Sequence, residues 1–136
     1  RQMCIRDSLY PDRIKFTGWI EDIDVRNYVA NADLMVFPTL YEGFGIPPLE
    51  AMACGCPVLV SDIAVTREVC SDAAIFFDPN NSEELSKSII NILSNSDHRN
   101  KMHSKGVERS KYFSWESSAN KTIFRLSQLF LEMSKK

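Results

Sequence analysis

The chain alternates short apolar runs with stretches in which apolar residues recur every three or four positions. Arg13-Ile14-Lys15-Phe16-Thr17-Gly18 reads as a short strand ending at a glycine. From Glu21 to Ala32, Ile23, Tyr28 and Val29 stand among charges, the pattern of an amphipathic helix. Leu34-Met35-Val36-Phe37 is a continuous apolar run stopped by Pro38, which suits a strand covered on both faces of a parallel sheet. Thr39 to Ile46 carries two glycines and reads as a loop. Pro47 to Cys54 reads as a helix, with prolines tolerated in its first turn and Gly55 placed to end it. Pro57 to Val60 is the next buried strand, Val65 to Cys70 a short helix, and Ala74 to Phe77 a last strand closed by Asp78-Pro79. Asn81 can cap a helix whose third position is Glu84, and Leu85, Ile89, Ile90 and Leu93 follow at helical spacing. A polar helix is expected from Asp97 to Lys111. The last helix starts after Ser114, and Trp115, Ala119, Ile123, Leu126, Phe130 and Met133 form one stripe along it, expected to pack on the domain's own core.

Strands alternating with helices predict an α/β fold, a Rossmann-like parallel sheet flanked by helices. Ligands of such sheets sit at the carboxyl ends of the strands, which directs attention to the loops after Phe16, Phe37, Val60 and Phe77. The 136 residues suffice for one core and not for two. A hydrophobic share of 44% with 25% charged residues is ordinary for a globular domain. The net charge of −2 supplies no pull toward nucleic acid or an anionic membrane. No apolar run approaches the roughly 20 residues of a membrane span, and no signal-peptide order is visible. The expected location is therefore cytoplasmic. Cys54-Gly55-Cys56 lacks the second ligand pair of a zinc site, so Cys4, Cys54, Cys56 and Cys70 are expected to be small thiols in the interior, with no metal.

The first eight residues look foreign to the rest. Met3-Cys4-Ile5-Arg6-Asp7-Ser8 matches the translation of a transposon end used to prepare sequencing libraries, so residues 1–8 are expected to be a sequencing-adapter artefact and residues 9–136 the domain proper.

The chemistry concentrates in Tyr41-Glu42-Gly43-Phe44-Gly45-Ile46-Pro47-Pro48-Leu49-Glu50-Ala51-Met52-Ala53. This segment follows a strand and opens a helix, where free N–H groups and the positive end of the dipole favour an anion. Gly43 and Gly45 let the backbone adopt conformations closed to other residues and approach a ligand closely. Pro47 and Pro48 have no N–H, so donors must come from Gly43, Phe44, Gly45, Ile46 and Leu49. The two carboxylates need a different reason. At ~6 Å and an effective dielectric near 20, a carboxylate beside a phosphate costs roughly 3 kcal/mol. A carboxylate bonded to hydroxyls gains roughly 1.5–3 kcal/mol per bond. Glu42 and Glu50 therefore make sense facing hydroxyls on either side of a diphosphate, the layout of a nucleotide sugar. Taken singly, the commoner reading of Glu42 is a solvated loop acid and that of Glu50 a first-turn helix acid favoured by the dipole.

The run Glu42 to Val58, with Phe16-Thr17-Gly18, Ala32-Asp33, Ser61-Asp62 and Phe113-Ser114-Trp115-Glu116, resembles the signature of retaining glycosyltransferases of the GT-B fold, family four (glycosyl transferases group one). The resemblance covers nearly the whole chain from Leu9. It implies that Glu42 binds the transferred sugar and stabilises positive charge at its anomeric carbon. The amides of Gly43, Phe44, Gly45 and Ile46 would hold sugar and diphosphate, with the Leu49 amide near the phosphates. Glu50 would hold the ribose hydroxyls, and backbone at Gly18, Trp19 and Ile20 the base. No metal or cofactor is implied. Family members join an N-terminal acceptor domain to a C-terminal donor domain and place an Arg and a Lys upstream of the segment matching Leu9. The chain is thus expected to be part of the C-terminal half of a GT-B fold, incomplete, with the first strands missing and no activity alone. The Ile14–Thr17 strand would then be an orphan or pair with Leu34–Phe37. The parent would take a nucleotide-diphosphate sugar, with GDP-mannose favoured by the Gly-Ile-Pro-Pro-Leu-Glu form. Its acceptor would be a glycan or lipid-linked sugar bound through the missing N-terminal domain. Peripheral association at the inner membrane face is a further expectation for the parent. A nucleotide-sugar epimerase of similar fold and a non-catalytic nucleotide-sugar-binding module stand as alternatives. A receiver-like domain would want an acidic cluster at the first strand and a late lysine, and neither pattern is seen.

Overall fold

A computed structural model describes residues 11–134. The expected foreign leader, residues 1–8, lies outside them. After a 3-10 turn at Pro11–Arg13, the elements run in the order α1 (Asp22–Ala30), β1 (Met35–Phe37), α2 (Ile46–Ala53), β2 (Val58–Ser61), α3 (Ala64–Cys70), β3 (Ile75–Phe77), α4 (Ser82–Ser94), α5 (Ser96–Ser110) and α6 (Trp115–Met133). The three strands form one parallel sheet in the order β1-β2-β3. Val36 pairs with Leu59, and Leu59 in turn with Ile75. This is the α/β architecture that alternating strands and helices predict.

The centre of the sheet accounts for the apolar runs. Every residue of β2 is buried, whereas β1 is half-buried throughout. Side chains alternate across a strand. Val58 and Val60 accordingly join Ala51 and Met52 of α2 and Val69 and Cys70 of α3 in one cluster, while Leu59 joins Phe77, Ile92 of α4 and Met102 of α5 in another. Each such large apolar side chain contributes roughly 1.5–3 kcal/mol on burial. Gly106 lets α5 approach α2, since a Cβ there would stand 3.2 Å from Met52 Cγ.

The helix starts are marked by polar caps. Asn81, Asn95 and Ser114 accept bonds from the amides of Glu84 (3.0 Å), His98 (2.9 Å) and Ser117 (3.0 Å). Glu84 does not close a reciprocal box on Asn81; its Oε2 accepts from the Asp78 amide at 3.2 Å and ties β3's exit to α4. At the end of α2, Gly55 donates to Met52 O and Cys56 to Ala51 O, both at 2.9 Å, with Gly55 at φ +77°. That is the Schellman arrangement, in which a left-handed residue ends the helix.

Two expectations are corrected. Residues 14–17 do not form a strand, and Phe16 is 55% exposed. A strand exists only where a neighbour satisfies its backbone groups, and among the described residues none lies alongside; the orphan outcome holds and the pairing with β1 does not form. The stripe on α6 does not pack on the domain's core: no residue of α6 is buried, and Trp115 and Phe130 are 85% and 71% exposed. Helical periodicity defines an apolar face, but the buried α-helical residues of the two core clusters come from α2 to α5 and none from α6.

Candidate functional site

The loop from Pro38 to Gly45 leaves the carboxyl end of β1 and enters α2. It therefore stands on the rim where ligands of parallel sheets bind. Its upstream side is held by Thr39, whose hydroxyl donates to Tyr41 O at 2.9 Å and lies 3.4 Å from Glu42 Oε1. Glu42 is half-buried there. Gly45 is the N-cap of α2, at φ +84° and ψ +53°, a left-handed conformation that disfavours any side chain. Gly43 has no positive φ, and a Cβ there would meet nothing within 4 Å. The backbone conformation thus calls for a glycine at 45, where a Cβ would otherwise find room, and leaves 43 open.

Among the described residues, the backbone N–H groups of Gly43, Phe44, Gly45 and Ile46 have no acceptor on the chain. Pro47 and Pro48 fill the first turn without N–H groups to compete, and Pro48 is buried. The Leu49 side chain packs on the core cluster. Glu50 is exposed and lines a cleft of about 720 Å³ between α1 and α2, together with Asp22, Arg26, Met35, Pro47 and Cys54. Glu42 is not part of that cleft. The two acids therefore flank the free amides from different surroundings.

Gly18 takes the left-handed conformation, φ +64°. Trp19 is 84% exposed and Ile20 half-buried. Among the described residues, no hydrogen bond or ring contact joins Gly18, Trp19 or Ile20 to the Glu42–Ile46 loop. On the neighbouring rim, Arg67 Nε and Nη2 donate to Asp62 Oδ1 and Oδ2, both at 2.6 Å. The Arg67 hydrogen bonds hold the Asp62 carboxyl below its usual range. The Arg67 guanidinium also lies 4.4 Å from the Phe76 ring centroid, so its charge is already engaged.

Local patterns missed two parts of the site. Thr39 supports Glu42 from a position that reads as ordinary loop. Phe44 stands edge-on to Phe113, 5.8 Å between ring centroids at 78°. The only sequence signal for Phe113 is the Phe113-Ser114-Trp115-Glu116 resemblance, which carries no role of its own.

A parallel α/β sheet whose strand-to-helix loop offers free amides between two acids belongs to the Rossmann-like class of anion- and nucleotide-binding folds. Comparison with known proteins narrows this. Residues 4–109 match the glycosyl transferases group 1 family, and the chain belongs to it. It is 38% identical over 110 residues to O-antigen chain mannosyltransferase B of Escherichia coli, covering 81% of this chain and 29% of that enzyme. Its structure is similar to that of sucrose-phosphate synthase from Thermosynechococcus elongatus, with a TM-score of 0.87, 28% identity, and 96% of this chain and 34% of the other covered. The C-terminal domain of a glycosyl transferase group 1 family protein from Francisella tularensis shares the fold, with a TM-score of 0.70, 24% identity, and 82% and 58% covered. The chain thus has the α/β fold of the C-terminal domains of GT-B glycosyltransferases, and it spans less than a third of the length of the curated relatives it matches.

Proposed function

We propose that residues 9–136 are the donor-binding part of a retaining glycosyltransferase, which takes a sugar from a nucleotide-diphosphate sugar and passes it to a glycan or lipid-linked acceptor. The reading rests above all on four unbonded amides at the entry to α2, with Glu42 before them and Glu50 one turn after. The Gly43, Phe44, Gly45 and Ile46 amides, with that of Leu49, hold the diphosphate and sugar. The helix dipole adds attraction for the same anion. Glu50, in the cleft between α1 and α2, accepts from the ribose hydroxyls. Backbone at Gly18, Trp19 and Ile20 holds the base.

The reaction breaks the bond between the anomeric carbon and the diphosphate oxygen. The leaving nucleoside diphosphate keeps that electron pair, and the amides stabilise its growing charge. Glu42 stabilises the positive charge developing on the sugar. The acceptor hydroxyl oxygen bonds to the anomeric carbon on the face just vacated, and its proton passes to the departing diphosphate oxygen. The reading assigns no metal or cofactor a role, because N–H donors and dipole answer the phosphate charge. GDP-mannose is the favoured donor, supported by the similarity to a mannosyltransferase. The acceptor binds to a further part of the parent protein, at the cytoplasmic membrane face.

Calorimetric titration of the full-length parent with GDP-mannose, GDP-glucose and UDP-glucose tests this. GDP-mannose is expected to bind tightest, with undiminished affinity in a chelator, and the product formed on an acceptor is expected to keep the donor's anomeric configuration by NMR. Failure of all three donors to bind, or an inverted product, overturns it.

A further inference from the structure

The donor loop is built from residues that do not hold themselves in place. Gly43 and Gly45 flank Phe44, so the middle of the loop has little intrinsic stiffness, and fixing it on binding costs backbone entropy. The upstream side is tied by Thr39 and the downstream side by Pro47 and Pro48. Between them Phe44 makes the ring contact that anchors the loop, meeting Phe113 in the edge-to-face geometry that aromatic pairs prefer.

Phe113 is itself pinned from several directions. Its amide donates to Ser110 O at 3.1 Å, in the turn that ends α5, and its side chain packs on the core cluster around Met52 and Val60. The Arg109 guanidinium lies 5.0 Å from its ring centroid. The same guanidinium donates to Val69 O (2.9 Å) and Glu68 O (2.6 Å), carbonyls at the end of α3. Arg109 thus fastens Phe113 to a rigid part of the fold, and Phe113 presents its ring to the loop.

We propose that Phe113, backed by Arg109, is a positioning residue for the donor: it holds Phe44 and so sets the Gly43–Ile46 amides before the ligand arrives. The inference rests on the donor-loop reading above, but its first measurement does not. A preset loop lowers the ordering cost of binding in ground and transition states alike, so its loss raises KM and spares kcat.

The test uses the full-length protein with 4-fluorophenylalanine at position 44, followed by 19F NMR, and donor kinetics with GDP-mannose on the unlabelled protein. In Phe113→Leu, which keeps apolar bulk but loses the ring, the 19F resonance is expected to shift and narrow without any donor present. The donor KM is expected to rise about three- to tenfold, the range of one aromatic pair, with kcat changed less than about twofold. Phe113→Tyr should restore both. A loss of folded protein alone would lower kcat and leave KM, the opposite split. Arg109→Lys, which removes the planar fork, probes the same arrangement should Phe113→Leu not fold; it should move the resonance and KM in the same direction. An unmoved 19F resonance overturns the proposal whatever the donor kinetics are. A moved resonance with unchanged donor KM overturns it too, leaving the contact a packing detail. A moved resonance in a protein whose wild type binds no nucleotide sugar refutes the positioning of a donor through failure of the functional reading, while the loop contact stands.

Discussion

His103 Nδ1 lies 2.8 Å from the carbonyl oxygen of Gly55, so a side chain of α5 satisfies the backbone just past the end of α2. A carbonyl only accepts, so Nδ1 carries the proton in this contact. Gly55 is left-handed, and a Cβ there would overlap the imidazole. Gly55→Ala should therefore cost stability twice. The left-handed conformation costs alanine roughly 1–2 kcal/mol, and swinging the exposed imidazole away forfeits a hydrogen bond of roughly 1 kcal/mol. Denaturant unfolding should show a total of about 2–3 kcal/mol. In a His103→Ala background the same substitution should cost only the conformational part. Equal costs in both backgrounds would mean that the imidazole and Gly55 are not coupled.

The bidentate Asp62–Arg67 pair predicts an acid response. The carboxyl is held below its ordinary value of 3.8 by the Arg67 hydrogen bonds. With the folded pKa depressed, the unfolded chain binds the proton first as pH falls; the pair's contribution is present above the ordinary value and lost as pH drops through the folded one. Both groups are exposed, so the effect is small. The thermal midpoint of Asp62→Asn should lie below that of the wild type at about pH 6 and converge with it as pH falls through the depressed folded value. A gap that stays constant across the range would show that the substitution acts through something other than this carboxylate's charge.

The cysteines separate by burial. Burial pushes the thiols of Cys56 and Cys70 up to about 11, against smaller lowering effects from the Met35 backbone and from Arg109 respectively. Only the thiolate reacts with alkylating agents. At neutral pH, iodoacetamide followed by peptide mass spectrometry should modify the half-buried Cys54 ahead of Cys56 and Cys70, which should react only when the fold is opened. Early labelling of Cys56 would contradict the packing between β2 and α2.

Elements marked by apolar runs, helical spacing or polar caps are legible: β1 to β3 and α1 to α5 fall within a residue or two of their expected bounds, and Gly55 ends α2 as its position implies. Legibility failed where structure depends on what lies opposite. Ile14 to Thr17 has the composition of a strand, but pairing is a property of two segments, and no described strand adjoins it. The α6 stripe gave a face without saying what it faces. In the loop, Gly45 was read for the right reason. The Phe44–Phe113 contact joins residues distant in sequence and leaves no local period, so nothing in the sequence announces it.

The two glutamates give the sharpest chemical test, since their surroundings differ. Glu50 is exposed in the cleft between α1 and α2, so its hydrogen bonds to ribose would form on binding and persist unchanged through reaction. In the full-length parent, Glu50→Ala should weaken donor binding by about 2 kcal/mol, roughly thirtyfold in Kd, with a parallel rise in KM. Glu42 is half-buried and supported by Thr39, which limits its freedom to follow the solvent. If its charge answers positive charge that appears only as the sugar departs, Glu42→Gln should lower kcat more than it raises KM, because the amide keeps the shape and loses the charge. Steady-state kinetics on the two variants separate the roles. The reverse pattern, with Glu42→Gln raising KM and leaving kcat, would make Glu42 a ground-state contact and move the charge-stabilising task to another group on the rim.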